Sequence, residues 1–209
     1  MATFLDVQTN IADYLNRTDL TTQIKTAINR AIASYGTHDF YFTQAGPSTF
    51  STVANQEVYA VADGIPDYMR EVTYLRLTAN GSFYRIDPRT LVYVQEHNPN
   101  SNPGMPFNYC FWGKKIYLNP IPDTIYTVTV WYRKTYVELS ANGDTNDFTT
   151  NIEALNLIEA KALWWLNKYI IRDKEGAAEN LEMESSALSV LSTISNNIQV
   201  TERLYPTDF

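Results

Sequence analysis

Ile125-Tyr126-Thr127-Val128-Thr129-Val130-Trp131-Tyr132 reads as a strand with two apolar faces. Tyr126, Val128, Val130 and Tyr132 share one side, and Ile125, Thr127, Thr129 and Trp131 share the other. Both sides are apolar or β-branched, which suits a strand buried between two layers. Working back along the chain, Lys115-Ile116-Tyr117-Leu118, Glu71-Val72-Thr73-Tyr74-Leu75-Arg76-Leu77 and Glu57-Val58-Tyr59-Ala60-Val61 are further short β-like runs. Asn80-Gly81 is a tight-turn signal that leads into Phe83-Tyr84-Arg85-Ile86. Eight of the nine prolines fall between positions 47 and 122, where each would remove a donor from a long helix. Residues 46–145 are therefore expected to form a small antiparallel β-sandwich or barrel.

On either side of this segment the apolar period changes to that of a helix. Phe4, Val7, Ile11 and Tyr14 with Leu15 form one stripe; Leu20, Ile24, Ala27, Ile28, Ala31, Ile32 and Tyr35 form a second. Thr18 or Asp19 is the expected N-cap of the second helix, and Gly36 its left-handed stop. Residues 1–45 thus read as a helical hairpin. After Asn142-Gly143-Asp144 the helical period returns through Ile152, Leu155, Ile158, Ala162, Trp165, Leu166 and Tyr169. Leu157, Ala160, Leu163 and Trp164 widen that face until the helix is apolar nearly all round, so neighbours must wrap it. Another helix continues to Ile198, giving helical residues 146–198. Residues 199–209 show no period and read as a C-terminal arm. The expected class is α+β: a helical bundle from both ends of the chain, with the β-domain inserted.

The chain has 209 residues and a formal charge of −7, most of it contributed after residue 150. The acidic balance argues against a surface that coats DNA by neutralising phosphates. Unbroken apolar runs reach only five residues, as at Ala162-Leu163-Trp164-Trp165-Leu166, against ~20 for a membrane span. The first residues lack the basic-then-apolar order of a secretory signal. One cysteine, Cys110, excludes an internal disulfide framework and a cysteine-rich zinc site. It stands in an aromatic run and reads as a small buried apolar residue.

No constellation of residues points to chemistry. His38 and His97 lack a helical ligand partner, and the eight glycines never take phosphate-loop spacing. Glu175, Glu179 and Glu182 share a helix face that reads as solvated. No catalytic residue, metal ligand or cofactor is therefore expected. The 15 tyrosines, 9 phenylalanines and 4 tryptophans suit an interface as well as a core. Trp164 and Trp165 point ~100° apart on a helix, so one can pack inwards while the other meets a second surface. The expected contact residues are Trp164, Trp165 and Tyr169, with Leu204, Tyr205 and Phe209 of the arm. The basic pairs Lys114-Lys115 and Arg133-Lys134 read either as contacts to phosphate or an acidic partner, or as charged strand ends.

The order of elements resembles the head-to-tail adaptor (connector) proteins of tailed bacteriophages, over about residues 4 to 195. His38-Asp39-Phe40-Tyr41-Phe42 stands where that family has an aromatic motif closing the second helix. Asn55-Gln56-Glu57-Val58-Tyr59-Ala60-Val61 is similar to its strand ending in Tyr-x-(Leu/Val). Gly104-Met105-Pro106-Phe107-Asn108-Tyr109 and Lys115-Ile116-Tyr117-Leu118-Asn119-Pro120-Ile121-Pro122-Asp123 are similar to its Gly-x-Pro-x-x-Tyr and I-x-L-x-P-x-P strands. Tyr132 and Leu139, then Asp147 and the helix from Ile152, match the close of the β-domain and the start of the C-terminal helix. The family's "L-P" turn is stretched here into Val61-Ala62-Asp63-Gly64-Ile65-Pro66.

The resemblance implies a structural virion protein at the head–tail junction, made in the host cytoplasm. It would bind under the portal protein as a ring, usually a dodecamer, and extend the channel for packaged double-stranded DNA. It would help retain that DNA and offer a platform to a downstream tail or neck protein, with the basic residues facing the tail. An acidic lining would let the duplex slide. Two other readings compete: a β-domain module binding carbohydrate or peptide through its aromatics, and a cell-wall glycan hydrolase acting through paired carboxylates.

Overall fold

The computed structural model describes residues 1–98 and 102–203, with 199–203 as helical backbone alone. The fold is mixed α+β. It divides into two compact units: residues 1–43 with 136–209, and residues 44–135.

In the first unit, α1 (Phe4–Leu15) begins at a capping box: the Thr3 hydroxyl accepts from the Asp6 amide and the Asp6 carboxylate accepts from the Thr3 amide. Asn16, in the left-handed region at φ 50°, ends it. α2 (Thr21–Tyr35) has Leu20 at its N-cap and no side-chain cap. Asp19, expected in that role, instead forms an ion pair with Arg17 at 2.7 Å. Gly36 is not left-handed either; its φ is −63°. What requires glycine there is space, since a Cβ would run into the Tyr136 ring. A short α4 (Asp147–Thr150) precedes α5 (Ile152–Trp165), which passes directly into a π-helical stretch, Leu166–Ile171. α6 (Lys174–Arg203) closes the unit. It continues five residues beyond the expected end at 198, because loss of apolar period does not stop a helix and the next proline is Pro206. No helix among the described residues is long and apolar enough to cross a membrane.

The apolar stripes meet as expected of amphipathic helices. Phe4, Val7 and Ile11 of α1, Ile24, Ile28 and Ile32 of α2, Leu157 and Ile158 of α5 and Leu191 of α6 share one buried cluster. Each such side chain contributes about 1.5–3 kcal/mol by leaving water. His38-Phe40-Phe42 of the aromatic segment stack in series, and Phe148 meets Phe40 and Phe42 edge-on.

The second unit holds eight strands among the described residues: β1 (Gln44–Ser51), β2 (Val58–Tyr59), β3 (Met69–Ala79), β4 (Ser82–Arg85), β5 (Asp87–Pro88), β6 (Asn108–Trp112), β7 (Lys115–Asn119) and β8 (Thr127–Lys134). They form two four-stranded sheets, ordered β1-β8-β3-β4 and β2-β7-β6-β5. Neither closes into a barrel. The second is not purely antiparallel, since β5 runs parallel to β6. β8 lies between β1 and β3; it begins two residues later than the apolar run and ends on Arg133 and Lys134. Val128, Val130 and Tyr132 join Leu75, Leu77, Ile116, Leu118 and Tyr59 in one buried cluster drawn from both sheets. The run's other face is not buried under a second layer as expected: Ile125 and Thr127 are exposed, and Trp131 is shielded only by its own sheet, with the tilted Tyr74 ring 5.2 Å away and the Arg76 guanidinium over both Trp131 and Phe83.

Two elements of this unit carry little sequence signal. β1 contains Gly46-Pro47 at a bulge, with Gly46 at φ +117°; an edge strand tolerates both. α3 (Leu91–His97) is a seven-residue helix between two prolines, started by Thr90, whose hydroxyl accepts from the Tyr93 amide.

Candidate functional site

Trp164 and Trp165 diverge as their spacing requires. Trp165 packs against the helical core and carries the Arg30 guanidinium 4.9 Å from its ring. Trp164 points to a groove of ≈ 680 Å³ between the π-helical stretch and the start of α6. Lys161 and Lys168 place ammonium groups 4.3 and 4.6 Å from its ring centre, and Tyr169 meets it edge-on at 5.9 Å. Arg172, Lys174 and Leu181 complete the walls. Lys168, Arg172 and Lys174 therefore give the groove a basic rim, while Tyr169 and Leu181 stay about half exposed. The one acid on its wall, Asp173, accepts from the Glu175 amide at the start of α6. A cation over an aromatic face is worth about 0.5–1 kcal/mol at exposed sites.

Beneath this groove Lys161 is tied to the unit's interior. Its ammonium forms a 2.9 Å ion pair with Glu184, a buried carboxylate that also accepts from the Tyr35 hydroxyl. Burial, reinforced by the bond to Glu184 and its charge, pushes the Tyr35 phenol far above its ordinary range. The second carboxylate oxygen of Glu184 is buried with no hydrogen-bond partner among the described residues.

A second groove, ≈ 630 Å³, lies between α1, α5 and α6. Ile11, Ala160, Leu163 and Ala187 floor it, and Tyr14, Met183 and Val190 stand about half exposed along it. Its charged residues are all acidic: Glu153, Glu159 and Glu182. Glu159 accepts from the Asn10 amide at 2.9 Å, and burial raises its carboxyl above the ordinary value despite that bond.

The basic pairs of the β unit take other positions. Lys114 occupies the left-handed turn between β6 and β7 and pairs with Asp67 at 2.9 Å. Lys115 opens β7 across from Trp112. Arg133 and Lys134 close β8 in register with Glu71 and Met69. Since Asp67 precedes Met69 by two residues, both basic pairs lie at one end of the β unit. The expected contacts Leu204, Tyr205 and Phe209 lie outside the described residues.

Of the first groove's walls, only Trp164 and Tyr169 stand out in the sequence by their residue type. Lys168 and Arg172 come after Trp164 at four-residue steps, a row that periodicity alone could have revealed. The acidic groove has no such signature, because its three carboxylates come from two successive helices, α5 and α6, and share a face only once those helices fold against each other. Cys110 is a buried free thiol, and burial raises its pKa. His38 stacks on Phe40, and His97 stacks on Tyr93 with Nδ1 2.8 Å from the Tyr93 carbonyl.

A search of the curated proteins finds no match to this chain. A family model described as SU10 adaptor protein matches residues 2–204, spanning both units. With nearly the whole chain covered, the protein belongs to the SU10 adaptor family, a family of phage adaptor proteins.

Proposed function

We propose that this phage adaptor is the head-to-tail connector of its virion, assembled as a ring beneath the portal. In this role it extends the DNA channel, helps hold packaged DNA, and carries the next tail or neck component. The helical segments near both ends make one bundle with a β-sandwich insert, and the chain beyond α6 acts as an arm on a neighbour or the portal. The observation that carries the reading is the family match over residues 2–204. The half-exposed Tyr169, beside a partly exposed Trp164, supports it, since a lone globule gains nothing by leaving such surface in water. The charge of −7 also suits a channel through which a polyanion slides.

The test is particle imaging of the capsid vertex with and without the protein. The expected result is a ring of extra density under the portal. Particles lacking the protein are expected to package DNA, lose it, and remain tailless. Purified virions that contain no copy of the chain would overturn the reading.

A further inference from the structure

The helical unit carries two grooves of similar size and opposite charge, and both expose apolar side chains. The basic one presents Lys168, Arg172 and Lys174 around Trp164 and Tyr169. The acidic one presents Glu153, Glu159 and Glu182 around Tyr14, Met183 and Val190. α6 contributes to both. At 100° per residue, its Lys174, Ala177, Ala178 and Leu181 lie on one flank of the buried stripe formed by Asn180, Glu184, Leu191 and Ser195. Glu182, Met183, Ser186 and Val190 lie on the other flank, roughly 145° round the helix from the first set. One copy therefore cannot fill its own groove with its own opposite face.

We infer that the basic groove of one copy receives the acidic groove face of a second copy, in a heterologous contact repeated from subunit to subunit. The inference rests on the proposal that copies of this chain assemble with one another; it adds which faces meet. The occupant is set by complementarity. No ion pair among the described residues engages Lys168, Arg172, Lys174, Glu153 or Glu182, so these charges are available to a partner. Each face supplies what the other lacks: cations against carboxylates, with aromatic and aliphatic surface on both sides to exclude water. Because the two faces differ, the contact is head-to-tail, the kind whose rotation can close into a ring.

Charge reversal tests this in particles. The phage is supplied with the adaptor as Lys168→Glu alone, as Glu182→Lys alone, as both variants together, or as one chain with both changes. Adaptor copies per particle are counted by quantitative mass spectrometry, and circular dichroism checks that each variant folds. Each single change is expected to lower incorporation roughly tenfold or more. The mixture is expected to recover most of it, because one intact and one doubly reversed contact then alternate; the doubly changed chain is expected to recover likewise. Lys174→Glu and Glu153→Lys carry the same test if a first variant fails to fold. Wild-type incorporation of both single variants would overturn the assignment. So would a mixture as poor as its components, because the two faces then meet different proteins. Absence of the wild-type chain from particles would instead sink the connector reading itself.

Discussion

Glu184 shows how a single buried side chain couples three helices. It sits on α6 and is bonded to Tyr35 at the end of α2 and to Lys161 on α5. Glu184→Ala strands the phenol and leaves the ammonium without its partner. It is expected to cost about 2–3 kcal/mol, read by urea unfolding, with Glu184→Gln costing less because its amide oxygen still accepts from Tyr35. Two other carboxylates should respond to pH in opposite senses. Asp144 accepts from the Ser140 and Ala141 amides at 2.8 and 2.7 Å, which holds its pKa below the usual range. Its contribution is present above the ordinary carboxylate range and disappears as pH falls through the depressed value. Asp144→Asn should therefore lower Tm at pH 7, and the gap should close in acid. Glu159 is raised by burial, so the folded state keeps its proton longer than the unfolded chain. Its cost appears as pH climbs past the ordinary value of 4.5 and is complete above the raised one. Glu159→Gln should raise Tm at neutral pH and lose that advantage in acid; a gain independent of pH would contradict this account.

At the scale of elements, the end of α5 is the most informative. The helix passes into a π-helical stretch at Leu166–Ile171, a form that costs backbone geometry and recurs at functional sites. It comes directly after the two tryptophans. Trp165 packs on the core, whereas Trp164 lines a groove, so their truncations should separate. Trp165→Ala is expected to destabilise by about 2–3 kcal/mol, below the ~3–5 of a fully buried aromatic because it is only partly enclosed. Trp164→Ala should cost about 1 kcal/mol, since Lys168 over its ring is exposed and Lys161 keeps its ion pair with Glu184, and should chiefly impair assembly. Equal shifts in Tm at both positions would refute the division. Gly36, between α2 and the aromatic segment, offers a third check. Gly36→Ala pushes a methyl into Tyr136 and should cost about 1–3 kcal/mol despite the better helix propensity of alanine.

Across the whole molecule, the chain leaves one compact unit, builds another, and returns. The β unit is continuous in sequence, has its own buried cluster, and has its ends near each other, since Gln44 is in register with Arg133. A fragment of residues 44–135 should therefore fold alone, with cooperative urea unfolding and a near-ultraviolet signal from its packed aromatics. A fragment that unfolds without cooperativity would show that its strands depend on the helical unit. The helical unit has no such continuity. Its α1 and α2 reach their partners α4, α5 and α6 only after 92 intervening residues of β structure have been made.

The features legible in advance came from periodicity. The stripes Phe4-Val7-Ile11 and Ile24-Ile28-Ile32 and the two-faced run of β8 depend only on side chains recurring every 3.6 or every two residues, which backbone geometry imposes before any tertiary contact forms. The mixed α+β class and the divergence of Trp164 and Trp165 were legible on that basis, but not which of the two turns inwards. Caps, breaks and grooves were not. Asp19 satisfies Arg17 rather than the helix, Gly36 yields to the Tyr136 ring, β1 carries a proline, and the parallel β5 is two residues long. Each of these is set by what lies opposite in space. The acidic groove is the clearest case: Glu153, Glu159 and Glu182 become one charged face only because the successive helices α5 and α6 pack side by side, and which of their faces meet is set by burial against the rest of the unit, not by local pattern.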